Sequence, residues 1–221
     1  MFSPRLVARH RNVDGRSRRR TGMETLPFYH QGMLALQDAA DGRRLADFLA
    51  TEVRHSEFSE KDIAQIEAAN FFFIASSYRD QPDCSFKGGD PGFVRIVGPN
   101  ALEFPDYDGN LMYRTLGNVA MNPRVGLLFM NFDPTAYRIR INGVASIHRD
   151  EASLARHHGA CAVVHITCHD IYPNCPRYVP GLTAGEPSAY VPRRGTVPPR
   201  PEWQALPAVA PLLPKSQDRG R

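Results

Sequence analysis

Residues 71–147 read FFFIASSYRDQPDCSFKGGDPGFVRIVGPNALEFPDYDGNLMYRTLGNVAMNPRVGLLFMNFDPTAYRIRINGVASI, and this stretch decides the fold. Runs of four to eight β-branched and aromatic residues alternate with turn residues, the pattern of short antiparallel strands joined by tight connections. The strand-like segments are 71–77, 84–87, 93–97, 101–104, 124–132 and 137–147, and 161–171 adds a last one. In 137–147, Ile139 and Ile141 take one side and Arg138, Arg140 and Asn142 the other. One helix interrupts the strands. Asn110 is placed to cap LMYRTLGNVAMN, and Pro123 stops it.

Outward from this block the periodicity changes. Residues 28–68 read as helical, with Leu45, Phe48 and Leu49 at three- and four-residue spacing and Arg43, Arg44 and Asp47 opposite. Ser59 with Asp62 three residues on is a capping signal, and the helix it opens turns Ile63 and Ile66 toward the strands. DEASLARHHG after the sixth strand reads as one short helix. Eleven prolines from Pro173 to Pro214 exclude long regular elements, while Trp203 and Leu206 suggest a tail lying across a surface. The expected organisation is a disordered Arg-rich leader at 1–22, a helical segment at 23–69, a β domain at 70–172 and a Pro-rich extension at 173–221.

The chain has 221 residues, 42% hydrophobic and 23% charged, enough for one domain with a full core. No run reaches the eighteen apolar residues of a membrane-spanning helix. The basic balance is a property of the leader. Seven arginines against Asp14 give residues 1–22 a charge of +6, so with +4 overall the remainder carries −2. Such a leader suits a nucleic-acid arm, a transit peptide or a disordered extension ahead of Met23. No apolar core follows it, so it does not read as a secretory signal. The arginines lie outside the folded body, which disfavours nucleic acid as the partner. Four cysteines without a secretory signal point to reduced thiols and a cytoplasmic protein.

Nucleophile elbow, P-loop and GxGxxG patterns are absent. The run HHGACAVVHITCHDIYPNC at 157–175 has no CxxC pair, and strand alternation separates Cys168 from Cys161, His165 and His169, so no metal site is expected. Three patterns point to an anionic ligand instead. Lys87 stands beside Gly88 and Gly89, where backbone and a compact charge can both approach a phosphate. Asn110 opens a helix whose N–H groups favour an anion, with Arg114 one turn on. Arg138 and Arg140 form an outward cationic row. Each pattern alone also reads as ordinary structure: a strained corner, a helix cap, a solvated strand face.

FYHQGMLALQ at 28–37, RRLADFLA at 43–50, CSFKGGDPGFVRI at 84–96, FPDYDGN at 104–110, LGNVAMNPRVGLLF at 116–129, INGVASI at 141–147, YPNCPRY at 172–178 and AYVPRRG at 189–195 together resemble the pyridoxamine 5'-phosphate oxidase-like family, the flavin-binding split barrels. The resemblance implies a mainly β fold with flanking helices, a six-stranded antiparallel split β-barrel. It further implies a homodimer with flavin mononucleotide (FMN) at the subunit interface and an oxidoreductase acting on a small molecule. The cofactor residues it implies are Ser85, Phe86 and Lys87; Tyr107, Asn110 and Arg114; Arg138 and Arg140; and Asn174, Arg177 and Tyr178, the last group from this chain or its partner. Where the true pyridoxine phosphate oxidases carry Gly-Ser-Arg-Lys this chain has Gly109, Asn110, Leu111 and Met112, two phosphate-gripping cations fewer. That implies a distinct subgroup and counts against vitamin B6 oxidation. A deazaflavin in place of FMN, and a non-catalytic flavin- or haem-binding role, are the alternatives.

Overall fold

Seven antiparallel strands form one sheet in this computed structural model, which describes residues 27–132, 137–182 and 185–213. They are β1 (Phe71–Tyr78), β2 (Gln81–Gly88), β3 (Arg95–Gly98), β4 (Ala101–Asp106), β5 (Arg124–Met130), β6 (Arg138–His148) and β7 (Ala162–Pro173), in the order β2-β1-β5-β6-β7-β4-β3. The expected leader at 1–22 lies outside the described residues. The expected six-stranded barrel is corrected on two points: there are seven strands, and among the described residues no ladder joins the edges β2 and β3. The reason is local. Pro91 and Gly92, the latter at φ 87°, break the extended run after β2, so β3 starts afresh and pairs with β4 at the far edge.

The sheet is nevertheless rolled. The rings of Phe72 on β1 and Phe104 on β4 meet edge to face at 4.9 Å. Four strand spacings separate those strands in the order, about 19 Å if the sheet were flat. Only curling brings them together. Phe72, Ile74, Phe104, Phe129, Ile141 and Ile166 fill the inside with no solvent exposure. Arg138, Arg140 and Asn142 alternate outward, as their spacing requires.

Gly143 marks a tight point on β6. It sits at a register shift against β7, and a Cβ there would lie 2.7 Å from both the Thr167 carbonyl oxygen and the Ile166 side chain. A paired backbone oxygen cannot step aside. Gly143→Ala is therefore expected to cost about 2 kcal/mol. The check is the urea midpoint, and an unchanged value would show that the bulge yields.

The described residues fall into two compact units, those up to Arg43 and those from Arg44 on. In the first, α1 (Gln31–Ala39) is capped by His30, whose Nδ1 accepts from Gly32 N–H, and Arg43 donates to Leu34 O and Asp38 Oδ2. α2 (Arg43–Phe48) runs into a π-helical turn, Leu49–Val53, and the periodic face expected there is largely in solvent: Leu45, Phe48 and Leu49 are 65%, 54% and 42% exposed. α3 (Glu60–Glu67) begins as its sequence signals. Ser59 Oγ accepts from Asp62 N–H, Asp62 Oδ2 accepts from Ser59 N–H, and Ile66 is fully buried. Among the described residues no helix is long and apolar enough to cross a membrane.

A polar clasp fastens α5 (Glu151–Ala155) to the sheet. Glu103, in the middle of β4, is 1% exposed. Arg156 donates to both its oxygens at 2.8 and 2.7 Å, and the His157 ring lies 3.1 Å from Oε1. Arg156 holds the Glu103 carboxyl below its usual range, while burial pushes His157 below its own.

Candidate functional site

The open seam of the rolled sheet holds a cavity of about 410 Å³. Its walls are β2, the end of β4, the loop 107–113 and the first turn of α4 (Arg114–Met121). Asp83, Ser85 and Lys87 share one side of β2 because strand side chains alternate. Lys87 Nζ reaches across to Asp106 Oδ1 at 3.4 Å. Ser85 Oγ donates to Asp83 Oδ2 at 3.0 Å and accepts from Thr115 Oγ1 at 2.9 Å, while Arg114 Nε lies 3.4 Å from Asp83 Oδ1. Both cations of the cavity thus face a carboxylate already. Burial raises the Asp106 carboxyl above its ordinary value, with Lys87 pulling the other way. Burial also raises the Tyr107 phenol, and the Asp90 charge adds to it.

The start of α4 differs from expectation. Asn110 does not cap the helix: its Oδ1 accepts from Met112 N–H at 3.1 Å, closing a local turn. Leu111 at φ 64° and Tyr113 at φ 49° are left-handed, so the helix cannot begin before Arg114. Tyr113 is its N-cap residue and supplies no side-chain capping hydrogen bond. A helix start without a side-chain cap, with two left-handed residues just ahead of it, is the kind of backbone that receives anions.

Of the residues the sequence points to, Ser85, Phe86, Lys87, Tyr107, Asn110 and Arg114 converge on this cavity. Arg138, Arg140, Asn174, Arg177 and Tyr178 do not line it. β6 lies near the centre of the sheet and its outward row faces away from the seam. Arg140 is exposed, and Arg138 donates to Cys175 O. Asn174 N–H donates to Arg138 O at 2.8 Å, and Arg177 lies 5.9 Å over the Tyr178 ring, itself 85% exposed. Arg138 Nε and Asn174 Oδ1 are buried with no partner among the described residues, an unsatisfied pair outside the cavity. Sequence reading missed Asp83, Asp106 and Thr115. The period-two row Asp83, Ser85, Lys87 was the available signal for the first.

The donor set fits a phosphorylated arm: a lysine, an arginine, the hydroxyls of Ser85 and Thr115 among others, and a helix start without a side-chain cap surround one volume. A bound phosphate would exchange with carboxylates that now hold the cations.

The family model for pyridoxamine 5'-phosphate oxidase matches residues 58–167. No curated protein matches the chain. Among solved structures, the chain is similar to a pyridoxamine 5'-phosphate oxidase-type protein of Lactobacillus delbrueckii at 16% identity and TM-score 0.44, covering 53% of this chain and 95% of that one. It is similar also to a conserved hypothetical protein of Mycobacterium tuberculosis at 17% identity and TM-score 0.43, covering 62% and 98%. A third is an FAD binding protein of Mycobacterium smegmatis at 15% identity and TM-score 0.38, covering 54% and 97%.

Proposed function

The chain belongs to the pyridoxamine 5'-phosphate oxidase-like family, and from that premise we propose that it is an FMN-dependent oxidoreductase of a small molecule, working as a cytoplasmic homodimer. The observation that carries the cofactor assignment is the uncapped start of α4, with left-handed Leu111 and Tyr113, opening into a cavity that also contains Lys87. When bound, flavin supplies hydride and electron transfer. The first-turn N–H groups of α4 and Lys87 hold the phosphate, and Arg114 closes it from the helix side. Thr115 and Asp83 fix the Ser85 hydroxyl between them, so its orientation is set before a ligand arrives. Tyr107 holds its proton on Oη at neutral pH, burial raising the phenol further, and it lines the cavity as a donor. Four free thiols support a reducing compartment. The homodimer is the arrangement in which the unsatisfied Arg138 and Asn174 atoms of one copy meet a ligand held by the other.

An absorbance scan of the purified protein tests the cofactor. Bands near roughly 370 and 450 nm are expected for oxidised flavin, and mass analysis of the released cofactor separates FMN from FAD or a deazaflavin. A Soret band, or a colourless protein that takes up no added FMN, overturns the assignment.

A further inference from the structure

A second and larger chamber, about 720 Å³, adjoins the first, and Phe86, Gly88, Tyr107 and Asp108 line both. Its floor is a row of aromatic rings. Phe86, Phe71 and Phe132 stack in sequence with centroids 5.6 and 5.9 Å apart and 15° between planes at each step. The row lies on the outer face of the sheet, where an antiparallel sheet normally meets water with polar side chains. The roof is the C-terminal extension. Leu182 N–H donates to Phe132 O at 2.8 Å, and Arg193 grips Asp90 with two bonds of 2.6 and 2.7 Å. Between these anchors Pro187, Tyr190 and Val191 face the chamber.

Charge narrows the occupant. No lysine, arginine or histidine is among the described residues lining the chamber, whereas Asp90, Asp108 and Glu186 are. Arg193 is committed to Asp90, and Asp108 and Glu186 make no ion pair among the described residues. A phosphate dianion would enter without counter-charge and against three carboxylates. A flat apolar ring gains stacking on the phenylalanines, and a cationic ring gains the ring faces and the carboxylates as well.

We propose that this chamber binds a planar aromatic molecule, uncharged or cationic and free of phosphate. Its role as the substrate site rests on the flavin reading above, since it opens at Phe86 and Tyr107 onto the cavity assigned to the cofactor. Binding itself does not depend on that reading.

Titration calorimetry on the full-length protein, as purified and after adding FMN, tests it with three probes: 2-naphthol, N-methylquinolinium and 1-naphthyl phosphate. The first two are expected to bind, and the phosphate ester at least about tenfold more weakly. Phe132→Ala is expected to weaken 2-naphthol by about tenfold. Glu186→Lys, an exposed change that leaves the rings in place, is expected to weaken N-methylquinolinium and strengthen the phosphate ester. The proposal is overturned if the phosphate ester binds as well as 2-naphthol, if none of the three binds, or if neither variant changes any affinity. A protein that binds 2-naphthol as expected yet takes up no FMN sinks the cofactor reading alone.

Discussion

Glu103→Ala is expected to lower the thermal midpoint by about 5–10 °C, read by calorimetry or circular dichroism. The carboxylate is 1% exposed and joins β4 to the end of α5 through Arg156 and His157. Removing it strands the His157 ring and leaves a void, which puts the loss at about 2–3 kcal/mol. The full penalty for an abandoned buried charge does not apply, because the Arg156 side chain is 43% exposed and can turn to water. Glu103→Gln keeps the shape and some hydrogen bonding, so it should fall between wild type and alanine. A midpoint unmoved by Glu103→Ala would show that α5 is held by packing alone.

The same cluster sets an acid response. Both folded-state values are depressed, so both groups stabilise fully above their ordinary values and lose that contribution as pH falls. For His157 the loss begins below its ordinary 6.5, as the buried ring is forced to take a proton. For Glu103 it begins below 4.5, as Arg156 loses its partner. Stability measured against pH should therefore decline in two stages, and Glu103→Gln should flatten the lower one.

Lys87→Ala combined with Arg114→Ala is expected to weaken FMN binding by about a hundredfold, about tenfold for each charge-assisted contact. Fluorescence quenching of added FMN measures it. Asp106→Asn should act in the opposite direction. It removes the carboxylate that competes with phosphate for Lys87, and the half-buried position favours the neutral side chain. Tighter FMN binding in Asp106→Asn together with weaker binding in the double variant is the expected pattern. Equal affinity in all of them would move the cofactor out of this cavity.

How much of this was readable beforehand depends on the distance over which each feature is written. The Ser59–Asp62 capping box and the outward row of β6 are encoded within a few residues and are legible in the sequence. The start of α4 is not, because Asn110 has the right chemistry for a cap and only the left-handed turns at Leu111 and Tyr113 show why the helix waits for Arg114. The Arg193–Asp90 clamp spans 103 residues, and the Glu103 clasp joins residues more than fifty apart. No local pattern specifies either, although a single carboxylate inside the apolar ALEFP was a hint of buried pairing. The strand count erred in an instructive way. Reading the residues produced seven strand-like runs, whereas the family resemblance implied six.

The unzipped margin between β2 and β3 is held by side chains where the rest of the sheet is held by backbone. Elsewhere the strands are riveted to their neighbours by rows of amide bonds, and prising any two apart would break several at once. Among the described residues β2 is tied here by side chains, Lys87 to Asp106 on β4 at 3.4 Å and Asp83 and Ser85 to Arg114 and Thr115 on α4. A guest that brings its own oxygens competes with the Asp106 and Asp83 carboxylates for Lys87 and Arg114 without breaking a rung of the sheet.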